Sequence, residues 1–477
     1  MKKSLAHNAF FNVIYRILNV IFPLISAAYI ARVLAPEGIG KTAYAQNIVS
    51  YFVMIAGLGI PTYGTREIAR CKDDPVAVNK LFSELFVLNF LSTAFCCVGY
   101  FALVSAAFRA DTLLYFVMGL ELAFNFINID WFYQGEEEYV YITLRSTLVK
   151  ILSLVLLFLF VREREDYVVY GLIHCLGICC NYIFNVVHLR GRINPVLRGL
   201  NLKRHLKPIL YLMLSAVTAS LYSKVDITML GWLSVDAAVG YYTNAYKAVN
   251  VVLTLTTAIT AVFLPRLSYV YRNNRQEFEQ YLTMGLKILL LLVLPCCMGL
   301  IVVAEEVVEF LFGPLFTPAA VTVQILALLI IIRGVGDLMC YQALISAGKE
   351  KALIKVRILA GIANIVLNGL LIPGYGHNGA AVASVFSEII VNGLLLPYAL
   401  SIIHLDVSKA FLGSLIVSTA VMTLAAVGVQ AVMGTGLLPL GATVASGAVV
   451  YGAMLLLLKN ETAQWAVAAL KQRLIGK

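Results

Sequence analysis

Charged residues are scarce in this sequence, and their scarcity excludes most classes of protein. Asp, Glu, Lys and Arg together make up 13% of the 477 residues, whereas hydrophobic residues make up 61%. Soluble domains carry about 25% charged and about 45–50% apolar residues. A soluble chain of this length would form several domains, but this composition predicts a single membrane-embedded bundle.

The sequence also lacks the motifs by which enzymes and metalloproteins are commonly recognised. No glycine-rich loop precedes a Lys and a Ser or Thr, so nothing predicts ATP hydrolysis. The six histidines are scattered, and the nine cysteines lie mostly in apolar segments without metal-ligand spacing. No short apolar core with a small-residue cleavage site follows Met1, so no cleavable signal peptide is expected. We expect no catalytic residue, no metal site and no cofactor.

Long apolar runs are abundant. A helix needs roughly 20 apolar residues to cross a hydrocarbon core about 30 Å thick. On this basis the sequence predicts an all-α polytopic membrane protein with fourteen transmembrane helices. The predicted spans are residues 9–33, 42–62, 81–105, 112–132, 141–161, 166–189, 207–233, 238–265, 281–304, 319–346, 352–373, 377–403, 408–433 and 437–458.

The distribution of Lys and Arg predicts the orientation of these spans. Most of the 36 basic residues lie in loops on the side that holds the N-terminus, while Lys41, Arg109, Arg162 and Arg164 lie on the other. Basic loops stay in the cytoplasm, so both termini are predicted to be cytoplasmic. The net charge of +10 is thereby explained by anionic headgroups, without nucleic acid.

The loop lengths and charges also predict the domain organisation. A basic cytoplasmic linker, 190–206, separates a first lobe of six spans, 1–189, from a second lobe of six spans, 207–403. Two further spans follow in 404–458 and contain no charged residue between Ala410 and Leu458. The remaining residues, 459–477, have the pattern of a short amphipathic helix on the cytoplasmic surface.

Two segments of the chain are similar at a separation of 200 residues. Gly40 corresponds to Gly240, Ala45 to Ala245, and Asn47 to Lys247. An internal repeat with a charge added in one copy is typical of transporters built from two halves around a central site.

Several predicted spans carry ionisable residues, which are costly in a membrane and therefore mark candidate functional sites. The basic candidates are Arg16, Lys224 and Lys247, and the acidic candidates are Glu121, Asp226 and Glu388. Polar residues at helical spacing share a face with Arg16 and Lys247, namely Asn12, Asn19, Asn250 and Thr254. Interhelical polar packing is the alternative explanation of these faces. Arg333 and Asp337 are four residues apart and are predicted to form a structural ion pair.

Four sequence segments together resemble one known family. They are Arg32-Val-Leu-Ala-Pro-Glu-Gly-Ile-Gly-Lys-Thr-Ala-Tyr-Ala-Gln, Leu58-Gly-Ile-Pro-Thr-Tyr-Gly-Thr-Arg-Glu-Ile-Ala, Asp130-Trp-Phe-Tyr-Gln-Gly-Glu and Asn364-Ile-Val-Leu-Asn-Gly-Leu-Leu-Ile-Pro, the last followed by Gly379-Ala-Ala-Val-Ala-Ser. The chain resembles Wzx-type lipid-linked oligosaccharide flippases of the multidrug/oligosaccharidyl-lipid/polysaccharide exporter superfamily.

This resemblance implies a V-shaped pair of six-helix lobes in a bacterial plasma membrane. It implies alternating-access transport of undecaprenyl-diphosphate-linked oligosaccharide to the outer leaflet, for O-antigen, capsule or other surface polysaccharide. In relatives the cavity is cationic, and Arg16, Lys224 and Lys247 are the residues here that would supply the charge. The acidic candidates Glu121, Asp226 and Glu388 would serve coupling ions. Membrane lipids, and the polymerase and chain-length proteins of the pathway, are the implied partners.

Two alternative functions remain open from the sequence. A multidrug antiporter of the same fold needs cavity carboxylates for cationic drugs, which the acidic candidates could supply. A membrane-embedded polysaccharide polymerase needs catalytic groups on a sizeable outer loop, and no predicted outer loop exceeds about 16 residues.

Overall fold

The computed structural model describes residues 5–196, 198–403, 407–465 and 468, and it contains helices and turns but no β-strand among these residues. Within these ranges the structure describes every side chain except those of residues 5–21, 215, 218–223, 265, 272 and 350. The prediction of an all-α protein is confirmed. The α-helices are α1 Leu5–Ala56, α2 Ile60–Cys71, α3 Pro75–Ala107, α4 Thr112–Ala123, α5 Asp130–Gly135, α6 Tyr139–Phe160, α7 Tyr167–Leu189, α8 Lys203–Leu233, α9 Asp236–Asn273, α10 Arg275–Val302, α11 Ala304–Phe312, α12 Ala319–Gly336, α13 Ala343–Ser346, α14 Glu350–Leu400, α15 Lys409–Met433 and α16 Leu437–Leu457.

Ten helices within the described residues are long and apolar enough to cross a membrane, so the chain is a multi-pass membrane protein. The two longest, α1 and α14, each contain one residue with non-helical backbone angles. These residues are Ala35, at φ 58°, and Gly376, at φ 52°. Both lie between segments that the sequence predicts as separate spans. In α1 the next residue is Pro36, whose ring disfavours helical angles in the residue before it.

The fourth predicted span, 112–132, is not one continuous helix. After α4 the backbone forms a 3₁₀ turn at Asn125–Ile127 and resumes as α5. The side-chain amide of Asn89 donates to the carbonyl of Asn125 at 3.0 Å, and the amide of Asn125 donates to Thr93 at 3.2 Å. These amides satisfy polar groups that the break in the helix would leave unpaired in a low-dielectric setting.

The helices form two compact units, residues 1–240 and 241–477. In the first unit, α2, α3 and α5 enclose an aromatic core around the fully buried Trp131 and Tyr133. The ring of Trp131 packs directly on Gly64 of α2, where a Cβ would lie 2.5 Å from the indole. This core fixes the short helices α2 and α5 against α3.

Hydrogen bonds attach the predicted basic linker to α3 within the first unit. The backbone N–H of Val196 donates to Ser83 Oγ at 2.8 Å, and that of Asn201 donates to Glu84 Oε1 at 2.7 Å. The other oxygen of Glu84 pairs with Arg204, and it lies 2.8 Å from Nε2 of His205. Glu84 is fully buried, so its charge depends on these partners.

In the second unit, α15 and α16 pair with each other, and both contact α10. Phe411, Leu415 and Leu455 form a small apolar cluster that packs on Leu290 and Leu294 of α10. A hydrogen bond adds to this packing, since the hydroxyl of Tyr451 in α16 donates to the carbonyl of Leu291 in α10 at 2.9 Å. The predicted lobe boundaries at the linker, and the separate status of the last two spans, stay predictions.

Candidate functional site

A group of polar side chains lies between α1 and α8 in the first unit. The ammonium of Lys224 donates to Ser50 Oγ at 2.7 Å. The amide of Asn47 donates to Thr228 Oγ1 at 2.7 Å, and the hydroxyl of Tyr51 lies 2.9 Å from the same atom. We call these five residues the α1–α8 polar cluster. It brings together one cation and four neutral groups that can form hydrogen bonds, in a setting of apolar helices.

Lys224 forms no ion pair within the described part of the chain. The carboxylate that acts on it electrostatically is Glu121 of α4, and one oxygen of Glu121 is buried without a hydrogen-bond partner. Asp226, two residues from Lys224, is 5% exposed and is not paired with it, as their spacing on the helix predicts. The ammonium of Lys224 is therefore held by a neutral hydroxyl rather than by a carboxylate.

Lys247 lies on α9 in the second unit. Its ammonium donates to Asn244 Oδ1 at 3.2 Å, and among the described residues it has no other hydrogen bond and no ion pair. Asn244 is fully buried, and its Nδ2 lacks an acceptor. Unpaired buried donors are costly, so an amide nitrogen without an acceptor beside an ammonium with only one acceptor is suited to an anionic group.

The polar residues predicted to share a helix face with Lys247 add less to this anion-binding arrangement than Asn244 does. The hydroxyl of Thr254 donates to the carbonyl of Asn250, four residues back on α9, at 2.8 Å. Asn250 is exposed. In α1, the side chains of Asn12, Arg16 and Asn19 lie outside the described residues.

The structure corrects the predicted pairing of Arg333. Its guanidinium lies 3.3 Å from Glu388 of α14 and donates to the hydroxyl of Tyr246 at 3.2 Å. Asp337 instead accepts from Thr260 at 2.6 Å. The predicted Arg333–Asp337 ion pair is therefore wrong. The two residues keep their helical spacing, because the backbone N–H of Asp337 donates to the carbonyl of Arg333, but each side chain has a partner on another helix.

The sequence analysis missed a buried charge in the first unit. Arg145 of α6 is 7% exposed, and its guanidinium lies 2.8 Å from Asp130 at the start of α5. Arg145 also bonds to the side chain of Asn185, whose backbone carbonyl accepts from the hydroxyl of Tyr133 at 2.7 Å. Asp130 begins one of the segments that carry the family resemblance, so the network gives that segment a structural role. The sequence signal that could have revealed this buried charge is the presence of two basic residues, Arg145 and Lys150, inside one mostly apolar helix.

Comparison with protein families gives a match over more than half of the chain. The family described as "Polysaccharide biosynthesis protein" matches residues 5–271. A relative named "Putative O-antigen transporter", from Escherichia coli (strain K12), is 25% identical over 407 residues, which cover 83% of this chain and 97% of the relative. A "Probable low-salt glycan biosynthesis flippase" from Haloferax volcanii is 25% identical over 225 residues, 47% of this chain and 48% of that protein.

Solved structures share the fold. "Lipid II flippase MurJ, inward closed conformation" has a TM-score of 0.76 at 14% sequence identity, covering 96% of this chain and 100% of that one. An inward-facing multidrug resistance MATE family transporter of the MOP superfamily has a TM-score of 0.67 at 15% identity, covering 80% of this chain and 93% of that one. Both flippases and multidrug transporters use this fold, so the fold alone does not select the substrate.

Proposed function

Because the chain belongs to the polysaccharide biosynthesis protein family, we propose that it is a flippase for lipid-linked oligosaccharide. The proposed cargo is an undecaprenyl-diphosphate-linked repeat unit, moved from the cytoplasmic to the outer leaflet of the bacterial plasma membrane. The names of the relatives support this proposal, since they are described as an O-antigen transporter and as flippases. The proposal includes no chemical reaction of the cargo.

The observation that carries the proposal is that neither Lys224 nor Lys247 is paired with a carboxylate in the described residues. A diphosphate diester bears about two negative charges, and it can enter an apolar bundle only if those charges are paired or hydrogen-bonded. An intramembrane lysine that already had an acidic partner would offer little to such a headgroup. The two lysines, each with neutral hydrogen-bonding groups beside it, would bind the diphosphate, and Arg16 is proposed as a third cation.

The proposed transport cycle uses the predicted organisation of the chain. Fourteen spans with both termini in the cytoplasm would form a V of two six-span lobes, 1–189 and 207–403, and two further spans in 404–458. Rocking of the lobes would expose the cargo alternately to the two sides of the membrane. Asn250 is exposed and would offer an amide to the sugar. Polymerase and chain-length proteins of the same pathway would receive the product.

A multidrug antiporter is the second candidate, and Glu121 is the residue that favours it. Its buried unpaired oxygen would suit a cationic drug or a coupling ion. Glu388 argues less for this function, because Arg333 already neutralises it. Asp226 is buried and stays a candidate for ion coupling.

Transport by purified protein in sealed vesicles would separate the two candidates. Vesicles would contain a fluorescent polyprenyl-diphosphate-linked oligosaccharide, and an impermeant glycosidase would report how much of it reaches the outer surface. Parallel vesicles would be loaded with a fluorescent cationic drug. The flippase proposal expects protein-dependent exposure of the oligosaccharide and no drug efflux. Drug efflux without oligosaccharide exposure would contradict it and support the antiporter.

A further inference from the structure

An open cavity of about 520 Å³ lies in the second unit, between the first turns of α10 and the segment that follows α16. Gln276, Gln280 and Thr283 of α10 line one side, and Glu461 and Trp465 line the other. The cavity thus combines amide and hydroxyl groups with charged side chains and an indole. These are groups that bind a polar, charged ligand rather than a purely apolar one.

Lys287 lines the cavity and makes no hydrogen bond with any described residue. Its side chain is 21% exposed, and its ammonium lies 3.9 Å from the nearest oxygen of Glu461 and 5.6 Å from the centre of the Phe411 ring. The distance to Glu461 exceeds hydrogen-bonding range. A largely buried ammonium whose three donors lack acceptors favours an anionic oxygen in the cavity.

Two carboxylates line the same cavity. Glu461 is 76% exposed, and Glu279 lies 3.9 Å from Arg275 on the preceding turn of α10. A ligand with only negative charge would be repelled by these groups, while one with only positive charge would be repelled by Lys287. The lining is therefore complementary to a ligand that carries both charges.

The cavity lies where α10 changes from polar to apolar. The residues up to Thr283 are mostly polar, and those after Lys287 form an unbroken apolar run to Pro295. A lysine one turn inside such a boundary extends its ammonium toward the headgroup level. Trp465, which is 53% exposed, has the place of an interfacial anchor. The cavity is thus at the depth of phospholipid headgroups.

We propose that this cavity binds the headgroup of a phospholipid with an ethanolamine phosphate, a zwitterion. The phosphodiester accepts from Lys287 and from the amides of Gln276 and Gln280, and the primary ammonium donates to Glu461 and Glu279. The acyl chains follow the apolar surface of α10. The predicted orientation of the chain assigns this lipid to the cytoplasmic leaflet. This site is separate from the two lysines proposed to bind the transported diphosphate.

Native mass spectrometry of the purified, delipidated full-length protein tests the proposal. The protein would be titrated with phosphatidylethanolamine, phosphatidylglycerol and phosphatidylcholine of identical acyl chains. We expect the first ethanolamine lipid to bind at least threefold more tightly than either of the others. Lys287→Gln should lower that affinity at least threefold. Glu461→Gln should reduce the preference over phosphatidylglycerol, because the carboxylate that binds the ammonium and repels an anionic headgroup is lost.

Lys351→Gln is the matched control, since Lys351 lies at the start of α14 and does not line the cavity. It should bind all three lipids as wild type does. Equal affinity of the wild type for the three lipids would overturn the proposal, as would equal behaviour of Lys287→Gln and Lys351→Gln. Glu461 is exposed, so its variant keeps the test valid even if Lys287→Gln does not fold. The readout is lipid affinity, so its failure is distinguishable from a failure of the proposed transport function.

Discussion

Gly40 packs so closely on Asp236 that a Cβ on the glycine would collide with the aspartate's carbonyl oxygen. The contact has a reciprocal partner, because a Cβ on Gly240 would collide with the carbonyl oxygen of Pro36. The two contacts are related by an offset of 200 residues, since Gly240 corresponds to Gly40 and Asp236 corresponds to Pro36. This pseudo-twofold crossing is the structural counterpart of the internal repeat, and it explains why both copies have glycine at this place.

The glycine crossing predicts that alanine is destabilising at both crossing glycines but not at a glycine with open space around it. Gly40→Ala and Gly240→Ala should each lower the melting temperature of the purified protein, because a collision with backbone cannot be relieved by rotating a side chain. Overpacking of this kind costs about 1–3 kcal/mol. Gly393→Ala in α14, where nothing lies within 4 Å of the new Cβ, should be neutral or stabilising. Equal melting temperatures for all three variants would contradict the close approach.

The buried carboxylate of Glu84 predicts that the basic linker is docked rather than free. Glu84→Gln removes the charge that pairs with Arg204, and such hydrogen bonds contribute roughly 1.5–3 kcal/mol each. Trypsin should then cut the detergent-solubilised protein at Arg198 several times faster than it cuts wild type. Glu67→Gln is the control, since Glu67 pairs with the exposed Arg70. Unchanged cleavage of the Glu84 variant would show that the network does not hold the linker.

Arg333 and Glu388 should behave as a structural pair. Replacing either residue alone with Gln leaves the other charge partly buried and unpaired, which should cost roughly 2 kcal/mol in the free energy of unfolding. Replacing both should recover most of that loss, as a double-mutant cycle on thermal unfolding would measure. Additive losses in the double variant would mean that the two side chains act independently, and would restore Glu388 as a candidate for ion coupling.

The predicted orientation can be tested with single cysteines in a cysteine-free background. Positions 109 and 163 should react with an impermeant maleimide added to intact cells, while positions 70, 198 and 349 should react only after permeabilisation. Arg70, Arg198 and Lys349 belong to the basic loops that the positive-inside rule assigns to the cytoplasm. Labelling of position 198 in intact cells would invalidate the fourteen-span arrangement.

The class of protein was predictable from the sequence because it depends on signals that are local in the chain. Apolar run length identified the long helices. The sequence analysis failed where a break in one helix depends on residues of another helix. The break after α4 depends on Asn89, which is on a different helix and 36 residues away from Asn125. The pattern of residues within the span itself gives no indication of that contact.

The candidate site was predictable only as a set of single residues. Lys224 and Lys247 stood out because a charge in an apolar span is rare. Their partners, Ser50 and Asn244, are ordinary polar residues whose roles depend on how the helices pack. The same limit explains Arg333, whose partner Glu388 is 55 residues away, whereas the side chain of Asp337, one turn further along the chain, accepts from Thr260 of α9. Sequence spacing predicts neighbours within one helix and not those between helices.

The most direct test of the account is the initial rate of oligosaccharide exposure in the vesicle assay, measured for variants of the two unpaired lysines. Lys224→Gln and Lys247→Gln should each reduce the rate at least tenfold for a diphosphate-linked substrate, because a cation about 4 Å from a phosphate charge contributes up to about 4 kcal/mol at an effective dielectric of 20. Lys247→Arg should keep part of the rate, since charge is retained. Lys351→Gln should match wild type. Wild-type rates in both lysine-to-glutamine variants, with the proteins folded and inserted, would contradict the claim that these ammonium groups bind the transported diphosphate.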